Sequence, residues 1–307
     1  MKRLDGMMAS NIHFKWRPHN PPVLRVYPDE PFEVIIPDSS TSQIKPNFTV
    51  KQLAAIDESK FDGAVGPVYV DGANPGDTLE VILDTIEVGD WGWTAILNNF
   101  GLLKGSFKET FVVWEIRNGW AATKGDFLAG VRIPVRPFLG VVGAAPAEGE
   151  FGMIPPRYFG GNMDNRLLRG GSHLFLPVSR EGGLVSFADP HASQGDGEVC
   201  GTAIETSARI TVRIRVHKNT ELKTPMMETS EEEVGERVVT MGISNDLYSA
   251  AKEALLQMIH YLGDRGFTPE EAYVLCSVAG NLRISEIVDE PNYVVSLVLP
   301  KELTRKQ

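Results

Sequence analysis

The clearest pattern in the chain is an alternation. Ile210, Val212, Ile214 and Val216 are separated by Thr211, Arg213 and Arg215, which predicts a strand with one buried and one solvated face. Shorter apolar runs predict further strands at Val23–Val26, Phe32–Ile36, Val68–Val70, Leu79–Leu83, Phe111–Ile116, Val131–Val135 and His173–Val178, with Gly and Pro between them. The first two flank Pro28-Asp29 and read as a hairpin. The spacing from Pro28 to Phe32-Glu33-Val34-Ile35 returns from Pro75 to Leu79-Glu80-Val81-Ile82, either a weak repeat of one β unit or a chance recurrence. Residues 1–20 show no period and read as a surface arm. The prolines between Arg136 and Arg157 predict a wrapped loop without a long regular element.

After a loop expected from Pro225 to Gly235 the period changes. Leu247, Ala251, Ala254, Leu255, Met258, Ile259 and Leu262 fall on one helical stripe, with Ser244 or Asn245 as cap and Gly263 or Gly266 as stop. Thr268-Pro269-Glu270-Glu271 supplies a cap, a first-turn proline and a capping-box acid for a second helix toward Gly280. Val294–Leu299 predicts a closing strand. The order predicts a β-rich α+β fold, mostly an antiparallel sandwich or barrel-like core, with two helices near the C-terminus. The expected unit is residues 1–307, and the change of period at 225/226 marks a possible subdivision into 1–225 and 226–307.

Composition narrows the classes. At 307 residues with 42% apolar content the chain can bury a large core, and a net charge of −10 without clustered Lys and Arg argues against nucleic acid as a partner. No apolar run is long enough to span a bilayer, so neither membrane nor export is expected, and the cytoplasm is the default location. Two cysteines, Cys200 and Cys276, fit a reducing compartment. Glu231 to Glu233 with Glu236 reads as an exposed acidic loop, and Trp91-Gly92-Trp93 as a core or subunit contact.

Candidate chemistry concentrates in two stretches. Asp189 to Glu205, DPHASQGDGEVCGTAIE, holds Asp189, His191, Asp196, Glu198, Cys200 and Glu205 among glycines, and GGNMDNR supplies Asn162, Asp164, Asn165 and Arg166. A histidine with carboxylates is the donor set of a Zn²⁺ site or, with fewer nitrogens, of Ca²⁺ or Mn²⁺, which makes His191, Asp164 and Glu198 the leading ligands. The spacing matches no specific zinc signature. A Cys200 nucleophile with His191 as base is a second reading, and a glycine-rich turn whose acids satisfy backbone N–H groups is a third. Density favours a functional site: Asn162, Asn165, Arg166 and Gln194 are the expected substrate-binding groups, although Arg166 also suits bracing a carboxylate.

Several blocks then carry a family resemblance: NIHFKW, GPVYVDGANPGDTLEV, GDWGWTAI, IPVRPFLGVVG, IPPRYFGGNMDNR, HASQGDGEVCGTAIE and LRISEIVDEPN. They resemble the acetamidase/formamidase family, in the family's order and over nearly the whole chain. The resemblance implies a mostly β, cytoplasmic, homo-oligomeric hydrolase of short aliphatic amides with a divalent metal, zinc first and calcium second. It puts His13, Asp164, His191 and Glu198 at the positions for metal and water activation. Glu198 or Asp196 is then the expected general base, with a thioester through Cys200 as the alternative route. A non-catalytic small-amide binder or assembly protein is the alternative of another class. Ala188-Asp189-Pro190 and Asn281 stand where many relatives have a more glycine-rich segment and an acid.

Overall fold

The computed structural model describes residues 1–220, 222–231 and 235–305. The alternating strand, Ala208–His217, lies inside a nine-stranded sheet, antiparallel to Phe32–Ile36 on one side and Thr78–Val88 on the other. His173–Pro177, Met226–Glu231, Gly235–Ser244, Tyr293–Pro300 and Asn281–Glu286 extend the sheet in turn, so it runs without a break across position 225/226. A six-stranded sheet packs against it, built around Ala64–Val70, Val185–His191 and Phe138–Gly143. A separate antiparallel sheet contains Trp91–Ile96, Thr110–Arg117, Trp120–Thr123 and Ile133–Pro134.

The period-two pattern decides which faces meet. Val34, Val81, Ile210 and Val212 of the large sheet and Val68, Val142, Val185 and Phe187 of the smaller one are fully buried in one core. Full burial of such a side chain contributes about 1.5–3 kcal/mol. On the outer face of the large sheet, helix α1 (Leu247–Gly263) and helix α2 (Pro269–Ala279) cover their own core of Ala254, Met258, Leu262, Cys276 and Leu299. Gly242 permits the close approach of α1, since a Cβ there would lie 1.8 Å from the Ala250 carbonyl oxygen. The cap of α1 is Asp246, one residue past those expected; Thr268 and Glu271 form the capping box of α2. The architecture is the β-rich antiparallel α+β class that the pattern predicts. No helix among the described residues is long and apolar enough to cross a membrane.

Several local expectations are corrected. Leu24–Val26 and Phe32–Ile36 are not a hairpin: the first pairs in parallel with Ala64–Val70 in the smaller sheet, the second belongs to the large one. The proline-rich 136–157 segment contains the regular strand Phe138–Gly143, because its prolines fall outside the six residues that pair with Val185–His191. Residues 1–20 are no surface arm: Lys2–Asp5 and Ile12–His13 join sheets, and Trp16 is buried. The 225–235 segment begins as the strand Met226–Glu231, paired with Gly235–Ser244. Of the acidic run, Glu232 and Glu233 lie outside the described residues. A strand not expected, Asn281–Glu286, forms the edge beside Tyr293–Pro300.

Candidate active site

Asp189 and His191 end the strand Val185–His191, whose register places Pro190 opposite Leu139 and His191 opposite Phe138. Next to them Gly140 leaves room that no other residue would: a Cβ at that position would sit 2.3 Å from both Asp164 Oδ1 and Asp189 Oδ2. Asp164 reaches this point because its backbone N–H donates to the Gly140 carbonyl. Glu205 arrives through a bridge to Trp93 and to His191 itself. The loop carrying Glu198 is fixed through Gly197, whose N–H donates to the Ser285 carbonyl. The two sequence stretches thus converge.

They converge with acids from elsewhere in the chain. Asp62, Asp164, Asp189, Glu198, Glu205 and Asp289 line one cavity of about 340 Å³ whose lining, among the described residues, includes no Lys or Arg. All six are buried, and Glu286 is buried beside them. Asp62, Asp164, Asp189 and Glu198 have φ of +51°, +41°, +54° and +45°, a left-handed backbone that costs non-glycine residues free energy. Four strained acids in one cavity mark a place where position is held against local preference.

His191 stands at the centre. Its Nδ1 lies 3.0 Å from Gln194 Oε1, while Gln194 Nε2 donates to the Asp164 carbonyl at 2.8 Å and so fixes which end of the amide faces the ring. Nδ1–H therefore donates to Gln194 Oε1, which in a neutral imidazole leaves the Nε2 lone pair free. Around that atom stand Asp189 Oδ2 and Glu205 Oε2, each at 3.0 Å, and Glu198 Oε1 at 3.9 Å. Nε2 makes no hydrogen bond despite these short distances, and Asp164 Oδ1, Asp164 Oδ2 and Asp189 Oδ1 are likewise buried without partners. Acceptors gathered around a lone pair require a cation between them, either a proton or a metal.

The acid–base balance says the same. Burial disfavours charge on His191, but Asp189 and Glu205 outweigh it and hold the imidazole well above its ordinary range. Burial, reinforced by Asp164, pushes Glu198 well above the usual carboxylate range. Burial also pushes Asp62, Asp189 and Asp289 well upward, and Glu286 to about 8. Burial works upward on Glu205 too, yet the charge of His191 and hydrogen bonds including that of Ser39 bring it below its ordinary value. Without a further cation most of these acids must keep their protons.

The donor set fits a divalent metal. Asp164, Asp189 and His191, and again His191, Glu198 and Glu205, each offer ligand atoms within 4.8 Å of one another. One imidazole with carboxylates suits Zn²⁺, and the excess of oxygen also suits Ca²⁺. His13 belongs to neither group: its Nε2 pairs with Ser186 Oγ at 2.8 Å, and burial lowers it to about 4.

The remaining candidates separate. Asn162 lines the cavity, donates to Asp289 Oδ2 at 2.7 Å and leaves its buried Oδ1 unpartnered. Asn165 does not line it: its Nδ2 donates to Ser296 Oγ and Met241 Sδ, and its Oδ1 accepts the Leu167 N–H. Arg166 and Arg283 both bind Asp196, which is part-exposed and engaged as their counter-ion. Cys200 is a free thiol that donates to the Thr202 carbonyl at 3.2 Å, while both nitrogens of His191 face other groups. Sequence reasoning gave no role to Asp62, Glu286 or Asp289. Asp62 sits in Phe61-Asp62-Gly63, the composition of an ordinary turn; Glu286 and Asp289 lie in the LRISEIVDEPN block, which was the available signal.

Fold and site together define a β-sandwich protein with a buried, metal-competent carboxylate–imidazole centre opening into a cavity. The chain belongs to the acetamidase/formamidase family, whose sequence model matches residues 3–150 and 147–305. It is 29% identical to a formamidase of Methylophilus methylotrophus, over 95% of this chain and 89% of the relative. An acetamidase of Mycolicibacterium smegmatis is 25% identical over 86% of this chain and 84% of its own. The crystal structure of a recombinant predicted acetamidase/formamidase from Thermoanaerobacter tengcongensis superposes with a TM-score of 0.90 at 30% identity, covering 98% of this chain and 96% of that one. The protein is accordingly an amidohydrolase of this family.

Proposed function

We propose that the centre hydrolyses small carboxamides to carboxylate and ammonia, with water as nucleophile and Glu198 as the group that moves its proton. The observation that carries this reading is His191 Nε2, left without a hydrogen bond between the Asp189, Glu205 and Glu198 carboxylates and beside unpartnered oxygens of Asp164 and Asp189, next to a cavity that these acids line. Asp164, Asp189, His191 and Glu205 would hold a divalent metal, zinc before calcium. Bound there, it supplies Lewis acidity and lowers the pKa of water.

Gln194 keeps the His191 lone pair turned toward the acids. Asn162, held by Asp289, offers Oδ1 to an N–H of the substrate's amide group. Glu198, whose burial raises its basicity, takes a proton from water as the water oxygen bonds to the carbonyl carbon. The same carboxylic acid returns that proton to the amide nitrogen, the C–N bond breaks, and ammonia leaves with the electron pair. Residues 1–307 act as one unit in this reading, in the cytoplasm and as a homo-oligomer. Val274 and Val278 on α2 and Leu282 and Ile284 on the edge strand after it are exposed apolar groups available to a second copy.

The test is ammonia release from formamide, acetamide and propionamide, before and after chelation and with Zn²⁺ or Ca²⁺ restored. Hydrolysis lost on chelation and recovered with metal is the expected result. Hydroxamate formation with hydroxylamine that disappears in Cys200→Ala would instead establish a thioester route. No release from any amide with metal restored would leave a binding protein.

A further inference from the structure

The cavity lining is of two kinds. One is the carboxylate centre; the other is an apolar set, Leu53, Ile56, Phe61, Leu97, Phe100 and Ile154, with Glu58, Asn98, Asn99 and Glu109 also on the lining. The apolar set is built: Leu53, Ile56, Phe61 and Leu97 belong to a small core around the buried Trp93, whose ring lies 6.5 Å from Phe61 and 6.0 Å from Phe111. Phe100 is set by Gly201, where a Cβ would come within 2.5 Å of its ring. The volume is about 340 Å³, whereas a cavity of about 150 Å³ accommodates benzene. Formamide offers nothing to such a surface and acetamide offers one methyl group.

We propose that this apolar set is an acyl subsite, and that the enzyme's preferred substrates are primary carboxamides bearing a branched or aromatic apolar acyl group. The inference rests on the amidase reading of the same centre. The carboxamide lies toward Asn162 and Glu198, and the acyl group displaces water from the preformed apolar surface, so added carbon is rewarded. Ala54 lines the same cavity and is exposed, which makes it a position where added bulk enters the cavity without displacing a core residue.

The experiment measures kcat/KM of the metal-loaded enzyme for formamide, acetamide, butanamide, 3-methylbutanamide and phenylacetamide. The expected result is a rise of about fourfold per buried methylene, with phenylacetamide at least tenfold above acetamide. In Ala54→Trp the ratio of phenylacetamide to acetamide should fall at least tenfold. A series that is flat or falls beyond acetamide overturns the subsite, and the wild-type series decides this even if the variant does not fold. Turnover of no amide at all overturns the amidase reading, and the subsite with it.

Discussion

Two regions of the molecule join histidine to carboxylate, and they are built on opposite terms. On the outer face of the large sheet Glu80 binds His173 Nδ1 at 2.6 Å with one oxygen and His217 Nε2 at 2.7 Å with the other, with Arg215 3.5 Å away. Each carboxylate oxygen has a partner, and three basic side chains face the one acid. Burial would raise Glu80, but the two histidines more than offset it and lower its pKa. Beside the cavity a single histidine faces the six buried acids of its lining, and buried oxygens stand without partners. The presence of histidine and acid together therefore separates nothing; unbalanced charge and unpartnered atoms separate a site that awaits something from a network that is complete.

The largest expected effect lies in the unbalanced region. Glu198→Gln should lower kcat by about 10²- to 10⁴-fold while metal content by elemental analysis stays unchanged; near-full turnover would remove Glu198 as base. Gly140→Ala, which touches no substrate, should come next. Its Cβ displaces the Asp164 and Asp189 carboxylates, so metal affinity should fall about 10- to 100-fold, read by titration against a chelator. Unchanged affinity would show that these two acids are not ligands.

The third prediction contrasts pH signs. Glu286 rises from 4.5 to about 8, so between those values the metal-free native state keeps a proton that the unfolded chain has lost. Its contribution is present below pH 4.5 and is lost as pH rises toward 8. Thermal melts of chelated protein should show stability falling over that window, and Glu286→Gln should flatten the slope. Glu80 has the reverse sign: its lowered pKa contributes stability above about pH 4.5 that is lost as pH falls. Glu80→Gln should cost about 1.5–3 kcal/mol of unfolding free energy at pH 7 and leave kcat/KM within about twofold, the converse of Glu198→Gln. A kinetic loss comparable to that of Glu198→Gln would erase the distinction between the regions. Smallest of all, Asp196→Asn removes a part-exposed partner of Arg166 and Arg283; denaturant unfolding should show a change of about 1 kcal/mol or less.

What could be read from the chain follows the range of the interactions. Alternation at Ile210, Val212 and Ile214, the stripe from Leu247 to Leu262 and the Thr268 box are local signals, and each element formed where its signal lay. Asp164, His191 and Glu198 stood out as candidates because they sit in dense polar stretches of the sequence. Asp62 did not, since its relation to His191 exists only after strands more than 100 positions apart pair. The same limit applies to direction: Asn165 and Asn162 are three positions apart in one motif, yet one turns into the core toward Ser296 and the other faces the cavity. No local pattern records that difference.

The left-handed backbone at Asp62, Asp164, Asp189 and Glu198 bears on how this protein can change. Each such residue stores about 1–3 kcal/mol, and glycine would release it while also removing a buried acid. A selection for heat resistance alone would thus find its easiest gains inside the cavity and would yield robust, inert proteins. Improvement that preserves turnover has to be sought elsewhere on the scaffold.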